Sequence, residues 1–433
     1  MEPIHSHGHR HSNEDMLSVE QAFERILQTF QPLNSESKPI LETMGQVLSD
    51  DVRSPIDIPP LDNSGMDGYA VIFNDIRGSS ETHPTTLDII DTVPAGQISD
   101  KLIVNGTTIR IMTGAPIPNG ADTVIPFEET DEMSQITSSP ISQVSIMSEL
   151  PKHSNIRPAG EDVKSGQIVL ASGTHIRASE VGVLASLGVS TTHVVRRPRV
   201  SVLSTGDELE ELGQKLSEGH IYDSNTYSIA SSIAAAGGIP NILGIARDNI
   251  EDLESKLSLA ASSDLLITSA GVSKGDYDLV KDVLMNNGDM NFWSVRMRPA
   301  KPLAFGILHP TKNHTLPLIG LPGNPVSAMV AFEMFARPAI RKMLGFTNLH
   351  RPRVNGFLTS PIYNHDGRRV YARVEVTSKE GIYYASPTGP QGSNILTSMT
   401  SANGLAICPE DIGMKNSGES VEIIMIDRNE EGE

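Results

Sequence analysis

The spacing of apolar residues divides the chain into regions, and the clearest pattern lies between about residues 196 and 345. Short apolar runs typical of buried strands alternate there with amphipathic runs at helical spacing. The predicted strands are 200–203, 242–245, 265–268, 292–295, 303–308 and 316–321. Helices are expected over 229–236, from Arg247 and Asp248 onward, over 279–284, and from Pro325 after the N-cap Asn324. This alternation predicts a parallel sheet with helices on both faces.

The regions on either side carry different patterns. A helix is predicted to begin after Ser18, because Gln21 three residues later completes a capping box, and a second helical pattern covers 40–48. Short strands separated by turn residues are expected at 70–73, 87–90, 102–104, 108–111 and 123–125, and again over much of 350–428. The sequence therefore predicts a multidomain fold of the α/β plus β class, with a small β domain at roughly 52–155.

Composition excludes several classes of protein. The formal net charge is −19, so no nucleic-acid partner is expected, because nucleic-acid phosphate would be repelled. Cys408 is the single cysteine, so neither an intramolecular disulfide nor a cysteine-rich metal site is expected. No run of about 18 apolar residues predicts a membrane span, and the first residues lack an apolar signal segment. We expect a cytoplasmic protein in which residues 1–14, rich in histidine, form a disordered tail.

One loop between a predicted strand and a predicted helix suggests chemistry. Residues Ser269 to Asp276 read Ser-Ala-Gly-Val-Ser-Lys-Gly-Asp and follow the third predicted strand. Gly271 and Gly275 allow backbone N–H groups to approach a phosphate closely, while Ser273 and Asp276 add a hydroxyl and a carboxylate. From this stretch alone, an ordinary loop in which Asp276 caps the next helix explains the residues equally well.

Other loops at the same predicted edge of the sheet carry functional groups as well. Asp207 and Glu208 follow the first strand, Asp248 follows the second, and Arg298 and Lys301 follow a later one. Because the carboxyl ends of parallel strands meet at one edge, these side chains are expected to converge. Several carboxylates beside glycines and cations are better explained by a metal-assisted phosphate site than by separate helix caps.

Several segments together resemble the molybdopterin molybdenumtransferases, the family to which the E domain of gephyrin belongs. The resemblance runs from about residue 16 to the C-terminus and keeps the order of the family's motifs. The segments that carry it are Asp62-Asn-Ser-Gly-Met-Asp-Gly-Tyr-Ala70, Met112-Thr-Gly-Ala-Pro116, Gly160-Glu-Asp162, Ser204-Thr-Gly-Asp-Glu208, Tyr222-Asp-Ser-Asn225, the loop from Ser269 to Asp276, Arg298-Pro-Ala-Lys-Pro302 and Gly320-Leu-Pro-Gly-Asn-Pro-Val-Ser327.

The resemblance implies a subunit of four parts. These are an elongated helical and strand domain at 15–50 plus 156–195, a small β domain at 51–155, a molybdopterin-binding three-layer α/β domain with a parallel-rich sheet at 196–347, and a C-terminal β domain at 348–433. It also implies a homodimer, whose active cleft lies between the α/β domain of one subunit and other domains of its partner.

The resemblance also implies a reaction in molybdenum cofactor biosynthesis. Molybdate is inserted into adenylylated molybdopterin with release of AMP, and the reaction depends on Mg²⁺ or Zn²⁺. A separate adenylyltransferase would supply the substrate, and apo-molybdoenzymes would receive the product. Two other functions stay open: the adenylyltransferase step itself, because both steps use the same type of α/β domain, and a gephyrin-like scaffold without catalysis.

Residue roles follow from the same resemblance. Catalytic roles are expected for Glu208, Asp276, Asp248, Asp62 and Thr113, of which Asp248, Asp276 and Glu208 would hold the metal. Cofactor contacts are expected for Ser204, Gly206, Asp207, Gly271, Ser273, Gly275, Arg298, Lys301, Pro322, Arg373 and Ser393. By its mid-strand position alone, Arg373 is expected to extend its charged end to solvent. Ala270 and Ala300 stand where the family usually has glycine, and Lys274 adds a positive charge.

Overall fold

The computed structural model describes residues 16–134, 141–270, 279–311 and 314–427. Its α-helices are α1 Val19–Leu27, α2 Ala178–Ser186, α3 Ser224–Ala235, α4 Ile250–Leu259, α5 Leu279–Asn286, α6 Pro325–Ala331, α7 Arg337–Met343 and α8 Thr397–Thr400. Its strands are β1 Ser35–Pro39, β2 Val52–Arg53, β3 Asn63–Ser64, β4 Gly68–Val71, β5 Thr85–Val93, β6 Thr107–Ile111, β7 Thr123–Pro126, β8 Gln143–Ile146, β9 Ile156–Arg157, β10 Ile168–Leu170, β11 Thr191–Val195, β12 Arg199–Thr205, β13 Leu209–Glu210, β14 Ile221–Tyr222, β15 Ile239–Ala246, β16 Leu265–Ser269, β17 Gly288–Ser294, β18 Met297–Arg298, β19 Pro302–Thr311, β20 His314–Leu321, β21 Arg353–Leu358, β22 Ile362–Tyr363, β23 Arg369–Lys379, β24 Ile382–Pro387, β25 Gly404–Cys408, β26 Met414–Lys415 and β27 Ser420–Met425.

These elements form two compact units. The larger unit contains the chain up to residue 49, residues 175–177 and the chain from 191 onward, and the smaller unit contains 50–174 and 178–190. The mixed α/β class predicted from the sequence is confirmed in this broad form. The four domain boundaries stay a prediction, and the His-rich residues 1–14 lie outside the described residues. Within the described ranges, no helix is long and apolar enough to cross a membrane.

The larger unit contains a six-stranded sheet in the order β15-β12-β16-β20-β19-β17. The first four strands are parallel, and β19 and β17 continue the sheet in antiparallel fashion. Because successive side chains on a strand point to opposite faces, Leu265 and Ile267 of β16 pack into one core and Leu266 packs into another. The first core includes side chains of α1, α3, α6 and α7, and the second includes side chains of α4 and α5.

The helices of this unit begin at residues whose chemistry favours a helix start. Ser18 and Gln21 form the predicted capping box at α1, with both reciprocal hydrogen bonds present. Asn324 is the N-cap of α6, and Pro325 occupies its first turn as predicted. A π-helical segment, Phe332–Ala336, separates α6 from α7, and Gly345 has a φ of +88° just after α7 ends.

A second sheet of the larger unit closes on itself. Its strands follow the order β18-β23-β24-β21-β27-β25, and β23 also pairs with β25. The strands β23, β24, β21, β27 and β25 therefore form a small barrel whose interior is apolar. The described smaller unit is built on a five-stranded sheet in the order β7-β4-β6-β5-β8, with apolar clusters on its two faces.

Three local predictions were wrong. Residues 40–48 do not form a helix: a 3₁₀ turn, Ile40–Thr43, ends before Gly45, which has a φ of +76°, and the next residues pair as isolated β-bridges. Residues 102–104 are not a strand, because the amide of Ile103 donates to the carbonyl of Asn119 in a loop. Helix α4 begins at Ile250 and not at Arg247 and Asp248, because the Asn249 side chain provides its cap.

Candidate functional site

A cleft of 840 Å³ lies in the larger unit, beside the carboxyl ends of the parallel strands. Its lining comes from the loops that follow β12, β16 and β20 and from the turn that precedes β19. The loop between β24 and α8 and the residue before β23 also contribute. The polar or charged residues that line it are Glu208, Arg298, Lys301, Asn324, Ser327, Arg368, Gln391, Ser393 and Asn394.

The cleft brings together only part of the predicted site. Glu208, Arg298, Lys301, Pro322 and Ser393 all line it. The predicted residues Gly271, Ser273, Gly275 and Asp276, together with Lys274, lie outside the described residues, so their roles stay predictions.

Three carboxylates follow the first two strands of the sheet. Gly206 has a φ of +142°, a backbone conformation that favours glycine, and a Cβ atom placed on it would displace the Glu208 carboxylate, which lies 2.4 Å away. The amide of Asp248 donates to Asp207 Oδ1 at 3.2 Å. Burial, and then the negative charges of Asp207 and Glu208, raise the pKa of Asp248 above its usual value. The three side chains therefore share one region of negative potential.

Carboxylates are the protein ligands that a Mg²⁺ ion bound beside a phosphate group would use. Among the described residues, no group of three or more His, Cys, Asp or Glu side chains is close enough to hold a metal ion. A structural Zn²⁺ site would need such a group. Mg²⁺ instead commonly uses one or two carboxylates and completes its coordination with water and substrate phosphates.

The basic side of the cleft contains one cation that the sequence interpretation missed. Arg368 lines the cleft with Arg298 and Lys301, and both arginines face Asp366. Burial alone would raise the pKa of Asp366, but the hydrogen bonds and charge of Arg368, with that of Arg298, hold this pKa below its usual value. The signal in the sequence was only a pair of arginines ahead of a strand, which is common on protein surfaces.

Arg373 contradicts the expectation that its charged end reaches solvent, because the side chain is only 1% exposed. Its guanidinium donates to the backbone carbonyls of residues 390–392 at 3.0–3.2 Å and to Ser398 Oγ at 3.0 Å. Burial and the charge of Arg298 lower the pKa of Arg373 to about 10. Arg373 therefore fixes the loop that forms one wall of the cleft.

Ser204 supports the site from below the surface. The side chain is 1% exposed, and its hydroxyl donates to Asp223 Oδ1 at 3.0 Å and lies 2.8 Å from Thr226 Oγ1. Asp223 also caps α3 by accepting from the Thr226 amide. The hydroxyl thus holds the start of α3 against β12, and its predicted contact with a cofactor stays a prediction.

Asn225, the last residue of the motif Tyr222-Asp-Ser-Asn225, connects the ends of two neighbouring strands. Its Nδ2 donates to Ser269 Oγ at 2.6 Å and to the Gly323 carbonyl at 2.7 Å. Its Oδ1 is buried without a hydrogen-bond partner. Asn225 therefore positions the loops after β16 and β20, and both loops line the cleft.

Two alanines of the cleft have an unusual backbone conformation. Ala270 and Ala300 have φ values of +78° and +74°, in the left-handed region that disfavours a Cβ atom. These are the two positions where the resemblance leads us to expect glycine. Each alanine costs about 1–2 kcal/mol relative to the ordinary backbone region, so the cleft contains local strain.

The two predicted residues of the smaller unit take part in local hydrogen bonds. Asp62 Oδ1 accepts from the amide of Ala159 at 2.7 Å. Both the amide and the hydroxyl of Thr113 donate to Asp67 Oδ1, at 2.7 and 2.8 Å, and these bonds lower the pKa of Asp67. The catalytic roles predicted for Asp62 and Thr113 remain predictions.

Three family models match the chain in succession. The MoeA N-terminal region (domain I and II) matches residues 17–188, and the probable molybdopterin binding domain matches residues 201–342. The MoeA C-terminal region (domain IV) matches residues 355–426. The second match covers nearly all of the six-stranded sheet and most of the cleft, and the third covers nearly all of the small barrel.

Similar proteins cover nearly the whole chain. Molybdopterin molybdenumtransferase 2 of Mycobacterium tuberculosis is 34% identical, over 94% of this chain and 99% of that protein. Molybdopterin molybdenumtransferase of Haemophilus influenzae is 36% identical, over 94% and 98% of the two chains. A crystal structure of a molybdopterin biosynthesis moeA protein from Pyrococcus horikosii superposes with a TM-score of 0.80 at 28% identity, covering 95% of this chain and 100% of that one.

Proposed function

Since the chain belongs to the molybdopterin molybdenumtransferase family, we propose that its cleft inserts molybdate into adenylylated molybdopterin and releases AMP. The predictions of this family, of a role in molybdenum cofactor biosynthesis and of a molybdotransferase are confirmed. The adenylylated form of the substrate, the release of AMP and the residue roles below are our proposal.

The observation that carries this proposal is a group of cations in an acidic protein. Arg298, Lys301 and Arg368 line one cleft, although the chain has a net charge of −19. Molybdate and the phosphates of an adenylylated pterin are all anions, so each requires positive charge or hydrogen-bond donors where it binds. A volume of 840 Å³ is large enough for a ligand of nucleotide size.

We assign the binding of molybdate to the basic wall of the cleft. Arg298 and Lys301 supply charge directly, and Arg373 keeps the loop with Ser393 in place. The Ser393 carbonyl accepts from the amide of Val326, which ties this loop to the start of α6. The bound oxyanion is therefore held by groups that are positioned before it arrives.

We assign the pterin phosphate and the adenylyl group to the edge that carries the carboxylates. The predicted phosphate loop at 271–276 would supply backbone donors there. Asp248, Asp276 and Glu208 would hold Mg²⁺, or Zn²⁺, and the ion would neutralise phosphate charge as the phosphoanhydride bond breaks. Glu208 lies in the cleft itself and can exclude a second anion from this edge.

We propose that the enzyme works as a homodimer in the cytoplasm. In this scheme a separate adenylyltransferase supplies the substrate, and apo-molybdoenzymes accept the product. Asp62 and Thr113 of the smaller unit would then complete the cleft of the partner subunit. Neither a membrane nor a nucleic acid enters the scheme.

The test is a reconstituted reaction with purified protein, adenylylated molybdopterin, Mg²⁺ and molybdate. We expect release of AMP that depends on molybdate, and loss of most turnover in Arg298→Gln or Lys301→Gln. Arg353→Gln is the matched control, because Arg353 pairs with Glu422 on the surface of the barrel. ATP-dependent adenylylation of molybdopterin would instead identify an adenylyltransferase, and absence of both reactions would favour a scaffold.

A further inference from the structure

A recess that adjoins the cleft has no assigned ligand. Its volume is 330 Å³, and it shares Arg298, Pro299 and Gln391 with the lining of the cleft. Glu208 lines the cleft but not the recess, and no aspartate or glutamate is among the described residues that line the recess. The recess therefore meets the cleft at its basic wall and not at the edge that carries the carboxylates.

The surface of the recess is mostly apolar. Its lining includes Val370 and Ala372 of β23 and Ile362 of β22, all of which are buried. Prolines add stiff apolar surface, since their rings fix the backbone: Pro299, Pro361 and Pro387. An apolar lining with a small number of polar groups is typical of a site for a small organic molecule.

Two aromatic side chains of the recess are open to a ligand. The rings of Tyr363 and His365 stack with 5.6 Å between their centroids and 11° between their planes. Tyr363 is nevertheless 53% exposed, and His365 is exposed as well. A planar heteroaromatic ring that stacks on this pair would cover aromatic surface that now faces water.

We propose that the recess binds the pterin ring of the substrate, stacked on Tyr363 and His365. This inference rests on the proposed function. In molybdopterin the dithiolene sulfurs, which take up molybdate, lie between the pterin ring and the phosphate. The phosphate is assigned to the edge with the carboxylates and molybdate to Arg298 and Lys301. The pterin ring must then lie beyond the basic wall, where the recess begins.

The size of the recess and the order of groups in the substrate both favour pterin over adenine. A volume of 330 Å³ suits one bicyclic ring system and is small for a whole nucleotide. Adenine is joined to the substrate through the phosphate, so it lies on the side of the carboxylates and not on the side of the recess.

The first experiment is a fluorescence titration of the full chain with 6-hydroxymethylpterin, a neutral pterin that carries neither dithiolene nor phosphate. Tyr363→Leu removes the aromatic ring, and Tyr363→Phe keeps it. The control Tyr227→Leu removes a 45% exposed tyrosine that lines neither the recess nor the cleft. We expect Tyr363→Leu to weaken pterin binding about tenfold, the value of one stacking contact, and the other two variants to bind as wild type does.

The second experiment measures molybdate-dependent release of AMP by the same variants. Tyr363→Leu should raise the KM for adenylylated molybdopterin about tenfold with little change in kcat, and Tyr363→Phe should keep the wild-type KM. Equal pterin affinities in wild type and Tyr363→Leu would overturn the proposal. Tighter binding of adenosine than of the pterin, with the same dependence on Tyr363, would also overturn it, because the recess would then hold adenine.

The titration does not depend on turnover, so the recess and the proposed reaction can fail separately. Pterin binding that weakens in Tyr363→Leu, in a protein that releases no AMP, would support the recess and reject the proposed reaction. Molybdate-dependent release of AMP, with wild-type KM and pterin affinity in Tyr363→Leu, would support the reaction and reject the recess.

Discussion

The cleft and a second basic region of the larger unit, lined by Arg177, Arg197, Arg341 and Arg351, both contain several cations in an acidic chain, yet the carboxylates near them lie in different places. In the cleft, Arg298 and Arg368 face Asp366, and Glu208 lines the same space. In the second region, Arg351 pairs with Glu333, which lies outside the lining of the pocket. Mixed charges in the cleft suit the proposed reaction, in which the site would bind an anion, hold a metal ion and release a product.

The two regions also differ in how rigidly the protein supports them. The cleft rests on Arg373 and Asn225, which are buried and fix loops on two sides of it. It also contains two alanines with positive φ. In the second basic region, Arg197 donates to two backbone carbonyls, those of Gly237 and Met44. The cleft should therefore be the more sensitive of the two to substitution.

The largest contrast is expected from replacing one arginine in each of the two regions. Arg373→Gln leaves several buried carbonyls without a donor, so we expect it to lower the free energy of unfolding by about 3 kcal/mol or more and to abolish turnover. Arg197→Gln removes the donors to two carbonyls that lie nearer the surface. It should lower the free energy of unfolding by about 1 kcal/mol and leave turnover unchanged. Urea denaturation of both variants measures the difference in free energy of unfolding. Equal losses of stability would show that the two regions are supported equally well.

Asn225→Asp tests the connection beneath the cleft. The substitution removes the NH₂ group that donates both hydrogen bonds and puts a carboxylate at a residue that is only 8% exposed. We therefore expect the free energy of unfolding to fall by about 2 kcal/mol and kcat to decrease. Asn241→Asp is the control, because Asn241 is exposed and donates to Ser201 at the other end of the sheet. Full activity in Asn225→Asp would show that these loops do not need it.

Replacing the two strained alanines of the cleft is expected to stabilise the protein. Ala270→Gly and Ala300→Gly should each raise the free energy of unfolding by about 0.5–1 kcal/mol, because relief of the left-handed strain exceeds the added freedom of the unfolded chain. Ala185→Gly, at an exposed position of α2, should lower it by about 1 kcal/mol. Thermal unfolding distinguishes them, and destabilisation by all three would show that the cleft is not strained.

The smallest expected effect concerns Asp248. Its folded-state pKa is raised, so the folded protein loses stability relative to the unfolded chain as pH rises from the usual Asp value through the raised one. Asp248→Asn should therefore unfold at a higher temperature than wild type at neutral pH and lose this advantage in acid. Asp289→Asn, at a 93% exposed side chain, controls for loss of one negative charge.

The sequence predicted best the features that are set by neighbouring residues. The capping box of Ser18 and Gln21 and the start of α6 at Asn324 and Pro325 were found where they were expected. Each depends on residues within one helical turn. Residues 40–48 had helical spacing, but Gly45 and pairing with distant segments replaced the helix.

Features set by distant contacts could not be predicted. Arg373 is buried because a loop 17–19 residues later supplies three carbonyls, and no local signal reports that loop. Arg368 enters the cleft because the barrel packs near the sheet edge in the same unit. Glu208, Arg298 and Lys301 were predicted together because the ends of parallel strands meet at one edge, which is a general property of the fold.

The most direct test of the account compares one variant from each basic region in the same assay. Molybdate-dependent release of AMP is measured for wild type, Arg298→Gln and Arg197→Gln over a range of molybdate concentrations. The account predicts a KM for molybdate at least about tenfold higher in Arg298→Gln, the value of one lost charge contact, and wild-type kinetics in Arg197→Gln. Wild-type kinetics in Arg298→Gln together with loss of turnover in Arg197→Gln would contradict it.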